Sequence, residues 1–203
     1  MLSVGLPNPK HHWRIFLDNR WSHLDDYNHG WGYLPATEEV FEAVRWVREK
    51  INPRRMLEVG YYGGHSTSYW AHHLPDTKIT SCCPNHPMFR RTSPIVEEKY
   101  PNVKVYPILS PEIYDVICDW DGYDFCFVDG NHETSNVIQD VMGAINLGIP
   151  YIMLDNCEQK RVQRGVDFFG DELTFLAEWK YTADHKNKVT TNKLKVYKLL
   201  DIN

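Results

Sequence analysis

Read as apolar against polar positions, the chain changes character at Thr37. Before it, residues 1–36 scatter Trp13, Phe16, Trp21, Tyr27, Trp31 and Tyr33 among His and Asp with no sustained period. After it, Val40, Val44, Val47 and Ile51 recur at helical spacing. Thr37 is placed to cap that helix, Glu38 and Glu39 suit its first turn, and Pro53 stops it. Short apolar runs follow at 55–59, 78–82, 103–108, 124–129 and 150–155 and read as buried strands. Segments of helical length separate them, the clearest at 135–147 with Val137, Ile138, Val141, Met142 and Ile145. "LTFLAEWKY" and "KLKVYKLL" come last with no helix between them. "TADHKNKVTTN" then predicts a long hairpin loop and an antiparallel final pair.

This alternation predicts an α/β fold: a doubly wound, mostly parallel seven-stranded sheet with an antiparallel C-terminal hairpin. Residues 37–203 form one domain, and 1–36 an aromatic extension or lid. In such sheets ligands sit at the carboxyl ends of the strands, so the residues just after each strand carry the chemistry.

Composition narrows the field. The chain has 203 residues, 42% of them hydrophobic, which suits one sizeable core. Net charge is −5 and the pI about 6.0. Lys and Arg are scattered, which argues against nucleic acid as the partner. No run approaches the roughly 20 apolar residues of a membrane span, and the N-terminus lacks a secretory pattern. Cysteines 82, 83, 118, 126 and 157 form no CxxC pair, which fits a reducing compartment. Cys118 and Cys126 read as small hydrophobes, and vicinal Cys82–Cys83 as core or as a redox or soft-metal pair. The expectation is a cytoplasmic protein with a small-molecule acceptor, no membrane and a possible homodimeric state.

"MLEVGYYGGHST", residues 56–67, runs an apolar strand into a glycine-rich turn. A phosphate loop needs Lys after its last glycine, and none follows Gly64. A dinucleotide fingerprint needs a second glycine where Tyr61–Tyr62 stand. What remains, acid-x-Gly-x-x-Gly-Gly from Glu58, resembles motif I of the class I S-adenosylmethionine (SAM)-dependent methyltransferases. The resemblance implies that Glu58, Gly60, Tyr61, Gly63, Gly64 and Ser66 lie against the cofactor, with Glu58 toward its ammonium. The other reading is a tight strand-to-helix turn with no ligand.

"DFCFVDGNHET", residues 124–134, resembles the fourth-strand motif of a subgroup of that family, and the likeness extends over about residues 37–200. Asp129 ends one strand and Asp155–Asn156 the next. By resemblance to the metal-dependent O-methyltransferases, Asp129, Asp155 and Asn156 would hold Mg²⁺ or another divalent cation in an all-oxygen site. That ion would lower the pKa of an acceptor hydroxyl. Asp and Asn also cap turns and helices in these positions. His132 stands at the same mouth as a general base, with Asp129 the second catalytic candidate and, by the same resemblance, a cofactor contact.

Three departures qualify the likeness. The family's ribose-binding acid after the second strand falls at about Cys83, a weak hydrogen-bond partner. Asn85 is the nearest substitute. "ILSPEIYD" stands where Gly-Asp-Ser is usual, leaving Ser110 or Glu112 for the adenine end. "LGIP" replaces Pro-Gly-Gly before the fifth strand. The reading is therefore a SAM-dependent O-methyltransferase acting on a small hydroxylated acceptor. Two alternatives stand beside it: an inactive binding protein of the same fold, and a cephalosporin-hydroxylase-like metal enzyme. Lys160, Arg161 and Arg164 lie near the metal position, suited to an anionic acceptor or to a solvated helix face.

Overall fold

The computed structural model describes Leu34 and residues 37–117, 122–185 and 188–200. The aromatic extension, Leu34 apart, and Cys118 fall outside them.

The first helix, α1 (Glu38–Trp46), begins as the sequence predicts, with the Thr37 hydroxyl accepting from the Val40 amide at 3.4 Å. Val40, Phe41, Ala43 and Val44 are buried. The helix runs on through a wider π turn, Val47–Ile51, and ends at Asn52 in the left-handed region, ahead of Pro53. The order is then β1 (Arg55–Val59), α2 (His65–His73), β2 (Lys78–Cys82), α3 (Pro87–Lys99), β3 (Val103–Tyr106), α4 (Ser110–Ile117), β4 (Phe125–Val128) and α5 (Thr134–Asn146). It closes with β5 (Tyr151–Leu154), α6 (Lys160–Asp167), β6 (Leu173–His185) and β7 (Lys188–Leu199).

The strands form one sheet in the order β3-β2-β1-β4-β5-β7-β6. β1 to β5 are parallel, and β7 runs antiparallel to both neighbours. Side chains alternate between two cores, as a period of 2 requires. Met56, Phe125, Phe127 and Met153 face Trp70 on one side. Leu57, Val59, Cys126, Val128 and Ile152 face Ile113 and Val141 on the other. Coverage of both faces explains why the central strands read as unbroken apolar runs.

The antiparallel hairpin is present, but most of the predicted loop is strand. β6 and β7 pair from Leu173↔Leu199 to His185↔Lys188, including Thr182↔Thr191 and Ala183↔Thr190. Polar composition suggested a loop there, yet the Thr-rich stretch is β-branched and pairs well at a half-exposed edge. Cys82, Cys83, Cys126 and Cys157 are buried thiols in no disulfide. Among the described residues, no helix is long and apolar enough to cross a membrane.

Hydrogen bonds continue the parallel ladder past the strand ends. Gly60 and Tyr61 amides both donate to Cys82 O at 3.0 Å, Cys83 to Tyr106 O at 3.2 Å, Asp129 to Val59 O at 2.8 Å and Asp155 to Val128 O at 3.1 Å. The loop residues that sequence reasoning singled out are thereby fixed in register at one edge of the sheet.

Candidate active site

Over that edge opens a cleft of about 1360 Å³. At the β1–β2–β3 end its walls include Gly60, Tyr62, Cys83, Leu109 and Ser110. At the β4–β5 end they include Asp129, His132, Asp155, Asn156, Tyr181 and Asn192. The volume exceeds the roughly 300–1,000 Å³ of an ordinary ligand pocket, so it has room for two ligands side by side.

Of the predicted cofactor-contacting residues, Gly60, Cys83, Ser110 and Asp129 line the cleft. Glu58, Tyr61, Gly63, Gly64, Ser66 and Asn85 are not among its walls. The Tyr61 ring is buried, with its hydroxyl bonded to Thr92 at 3.1 Å. Gly64, at φ +79°, caps α2 with that ring against it: a Cβ would lie 2.6 Å from the Tyr61 hydroxyl oxygen. Gly63 has ordinary space. Ser66 is buried, and exposed Asn85 accepts from Arg90 at 3.2 Å. Much of the glycine-rich turn is therefore required by its own packing.

Glu58 has no exposed surface. Its Oε2 accepts from Thr67 in α2 and from Ser81 in β2, the latter at 2.6 Å, and no hydrogen bond reaches Oε1. The carboxyl thus ties the first turn of α2 to the sheet beneath the cleft. Burial pushes its pKa from 4.5 to about 7, against the lowering effect of Ser81 and Thr67. The folded protein consequently holds this proton more tightly than the unfolded chain does. Its contribution to stability is complete below pH about 4.5 and is lost as pH rises through about 7. Glu58→Gln keeps the two acceptor contacts without the charge. It should therefore gain stability over wild type between pH 5 and 8, by up to about 3 kcal/mol. Urea unfolding at both pH values checks this: a gap that stays constant or narrows toward pH 8 contradicts it.

At the end of β2, Cys83 accepts at 3.3 Å from His86 Nε2. The His86 Nδ1 accepts from the Phe89 amide at 3.4 Å as the cap of α3, which leaves the proton on Nε2. The Tyr62 ring lies 5.3 Å from the His86 ring, at a tilt of 32°. Among the described residues, this end of the cleft presents the Cys83 thiol and the Tyr62 ring, and no carboxylate lines it beside Gly60, Leu109 and Ser110. Ser110 opens α4 at the wall and bonds the buried Asp140, whose pKa burial raises to about 6.

At the other end the side chains converge as the strand order predicts. Val128 pairs with Leu154, so Asp129 and Asp155 follow side by side. Asp129 Oδ1 lies 3.4 Å from His132 Nε2, an electrostatic contact longer than a well-formed hydrogen bond. Burial raises the Asp129 pKa, and His132 opposes the rise. Asp155 is buried, and burial plus the nearby Asp129 push its pKa well up. Asn156, at φ +54°, projects from the turn after β5 into the wall. Sequence reasoning missed Tyr181. Its hydroxyl donates to both Asp155 oxygens, at 2.7 and 2.9 Å, and bonds the Asn192 side chain opposite it on β7. Asp155 Oδ1 also accepts from the Asn156 amide at 2.7 Å.

These contacts test the implied groups against the residues present. A nucleoside cofactor fits: the cleft lies where the fold places one, and its β2–β3 end is roomy and partly apolar. A divalent ion fits poorly. Three of the roughly four lone-pair sites of Asp155 are already engaged within the chain, and Asp129 faces His132. Among the described residues, no group of three or more His, Cys, Asp or Glu side chains is arranged to hold a metal. Arg161 reaches the cleft wall but is ion-paired with Glu133, and Lys160 and Arg164 do not line it.

Residues 57–148 match the family model described as a methyltransferase domain. No curated protein matches the chain in sequence. Solved structures match its fold. An O-methyltransferase from Bacillus cereus in complex with SAH is 16% identical with TM-score 0.69, over 96% of this chain and 94% of that one. The O-methyltransferase TomG from Streptomyces achromogenes, involved in tomaymycin synthesis and in complex with SAM, is 16% identical with TM-score 0.57, over 91% and 99%. Cofactor-bound Rv0187 from MTB is 17% identical with TM-score 0.61, over 94% and 97%. Sheet order, cleft position and domain match agree: the chain has the seven-stranded fold of the class I SAM-dependent methyltransferases.

Proposed function

We propose that this protein transfers the methyl group of SAM to a hydroxyl of a small polar acceptor. The observation that carries the reading is the long cleft over the carboxyl ends of β1, β4 and β5. It has room for the nucleoside at one end and an acidic, imidazole-bearing acceptor site at the other. Bound there, SAM supplies an electrophilic methyl on a sulfonium. Gly60, Tyr62, Cys83, Leu109 and Ser110 would hold the nucleoside half, with Asp129 between the two ligands.

The chain's own residues do the rest. Asp129 orients His132 through Nε2, which leaves Nδ1 to take the acceptor's proton. The acceptor end is lined by amides, among them Asn131, Asn136, Gln139 and Asn192. These suit a hydroxylated molecule that both donates and accepts hydrogen bonds. Alignment of the two reactants in one cleft contributes much of the rate gain. Asp129, Asp155 and Asn156 occupy the places of the metal triad in the resembling O-methyltransferases. In this chain the Asp155 carboxylate is engaged by Tyr181 instead.

Incubation with methyl-tritiated SAM and a panel of catechol, saccharide and nucleoside acceptors tests the reading. Acceptor-dependent label in base-stable ethers, with S-adenosylhomocysteine (SAH) formed in equal amount, supports it. SAM binding without transfer to any hydroxyl in the panel opposes it. The missing ribose acid gives a second test. Cys83→Asp puts a carboxylate at the cleft wall, where it would accept from ribose hydroxyls. It should tighten SAH binding by at least about tenfold, as expected for hydrogen bonds to a charged group. Calorimetric titration of both proteins checks this, and unchanged or weaker binding would remove Cys83 from the ribose subsite.

A further inference from the structure

We propose that Tyr181 is a specificity-determining residue that keeps divalent cations out of the Asp129–Asp155 pair. Two acidic side chains on neighbouring strands, one buried and one nearly so, ordinarily require a counter-cation or protonation. Here the Tyr181 hydroxyl occupies the position at Asp155 where a cation would sit, as a neutral hydrogen-bond donor. It is held from the far side of β7, on β6, where its direct partner across the ladder is Asn192. From there the side chain crosses to the end of β5, and its one proton is shared between the two Asp155 oxygens. The Asn156 amide takes a third position on the same carboxylate. An ion entering between Asp129 and Asp155 has to displace the tyrosine hydroxyl from a site where both partners are dry. The same chain of contacts fixes the position of the Tyr181 oxygen at the acceptor end of the cleft.

The consequence is directional. Tyr181→Phe keeps the ring and its packing, removes only the hydroxyl, and frees Oδ2 of Asp155 toward Asp129, with Oδ1 keeping the Asn156 amide alone. That change should create a cation site where wild type lacks one. The probe is Mn²⁺, titrated into the full-length protein at pH 8 and followed by electron paramagnetic resonance of the free ion. Wild type should show no site tighter than about 1 mM at the cleft, and Tyr181→Phe one site per chain at least about tenfold tighter. The double variant Tyr181→Phe with Asp155→Asn should lose that site.

Asp155→Asn in the wild-type background gives an independent answer, because asparagine keeps an oxygen for Tyr181 to donate to. It should leave Mn²⁺ affinity unchanged, even if Tyr181→Phe fails to fold. Wild type that binds Mn²⁺ at micromolar concentration and loses it with Asp155→Asn would overturn the proposal. So would a folded Tyr181→Phe that binds no more tightly than wild type. The readout does not involve SAM, so this proposal and the methyl-transfer reading fail by different measurements.

Discussion

Gly60→Ala should cost about 3–5 kcal/mol of folding stability, the sum of a strained backbone and a buried overlap. Gly60 sits at φ +111°, a conformation that L side chains rarely adopt. A Cβ there would lie 2.0 Å from the carbonyl oxygen of Asp129 and 2.5 Å from its carbon. Neither backbone is at liberty to move. The Gly60 amide is bonded to Cys82 O at 3.0 Å, and the Asp129 amide to Val59 O at 2.8 Å. Relief would have to separate β1 from β4 at the point where Asp129 leaves the sheet. Urea denaturation followed by circular dichroism measures the cost as a lower midpoint at unchanged slope. Gly63→Ala is the control. Its Cβ would meet Met88 Cγ at 3.5 Å, an ordinary contact, and its φ is not positive. It should cost less than about 1 kcal/mol. Equal losses for the two variants would show that the turn does not depend on Gly60 in particular.

His132→Ala should lower kcat for methyl transfer by about 10²–10⁴-fold, the range for loss of a positioned general base. SAH affinity should stay within about twofold, because the proposed arrangement sets His132 against the acceptor and leaves the nucleoside to Gly60, Tyr62, Cys83, Leu109 and Ser110. Asp129→Asn removes the carboxylate that faces Nε2 at 3.4 Å. It should lower kcat by about tenfold or more through misorientation of the imidazole. The measurement is steady-state transfer of tritiated methyl to the acceptor that the panel identifies. Full activity in His132→Ala would exclude His132 as the base and leave the proton to another group in the cleft.

The sheet could be read from the chain because its evidence is local. Apolar runs of four or five residues, bounded by Gly, Pro and Asp and separated by amphipathic segments, are signals that burial on both faces leaves in a sequence. The strand-end positions Asp129, Asp155 and Asn156 could be read too, since parallel order alone places them side by side. Glu58 shows where such reading stops. An acid ahead of a glycine turn looks the same in sequence whether it faces a ligand or, as here, ties α2 to β2 through Thr67 and Ser81. Gly60 shows it as well, for the close approach is by the neighbouring strand's backbone. Tyr181 was the least legible. In "LTFLAEWKY" it is one aromatic in an alternating strand, and its sequence distance from Asp155 is 26 residues. Only the β6–β7 register and the height of β5 bring them together. The Thr-rich end of the hairpin was misread because polarity outweighed β-branching in a stretch whose edge position tolerates both.

The most direct test of the account is calorimetric titration of SAH into the full-length protein. One site per chain with micromolar affinity is expected, and a Ser110→Ala variant weakened by about 1 kcal/mol, the value of one hydrogen bond at the cleft wall. No heat at millimolar SAH, from a protein whose melting shows it to be folded, would contradict it. The chain would then keep the methyltransferase fold without its cofactor.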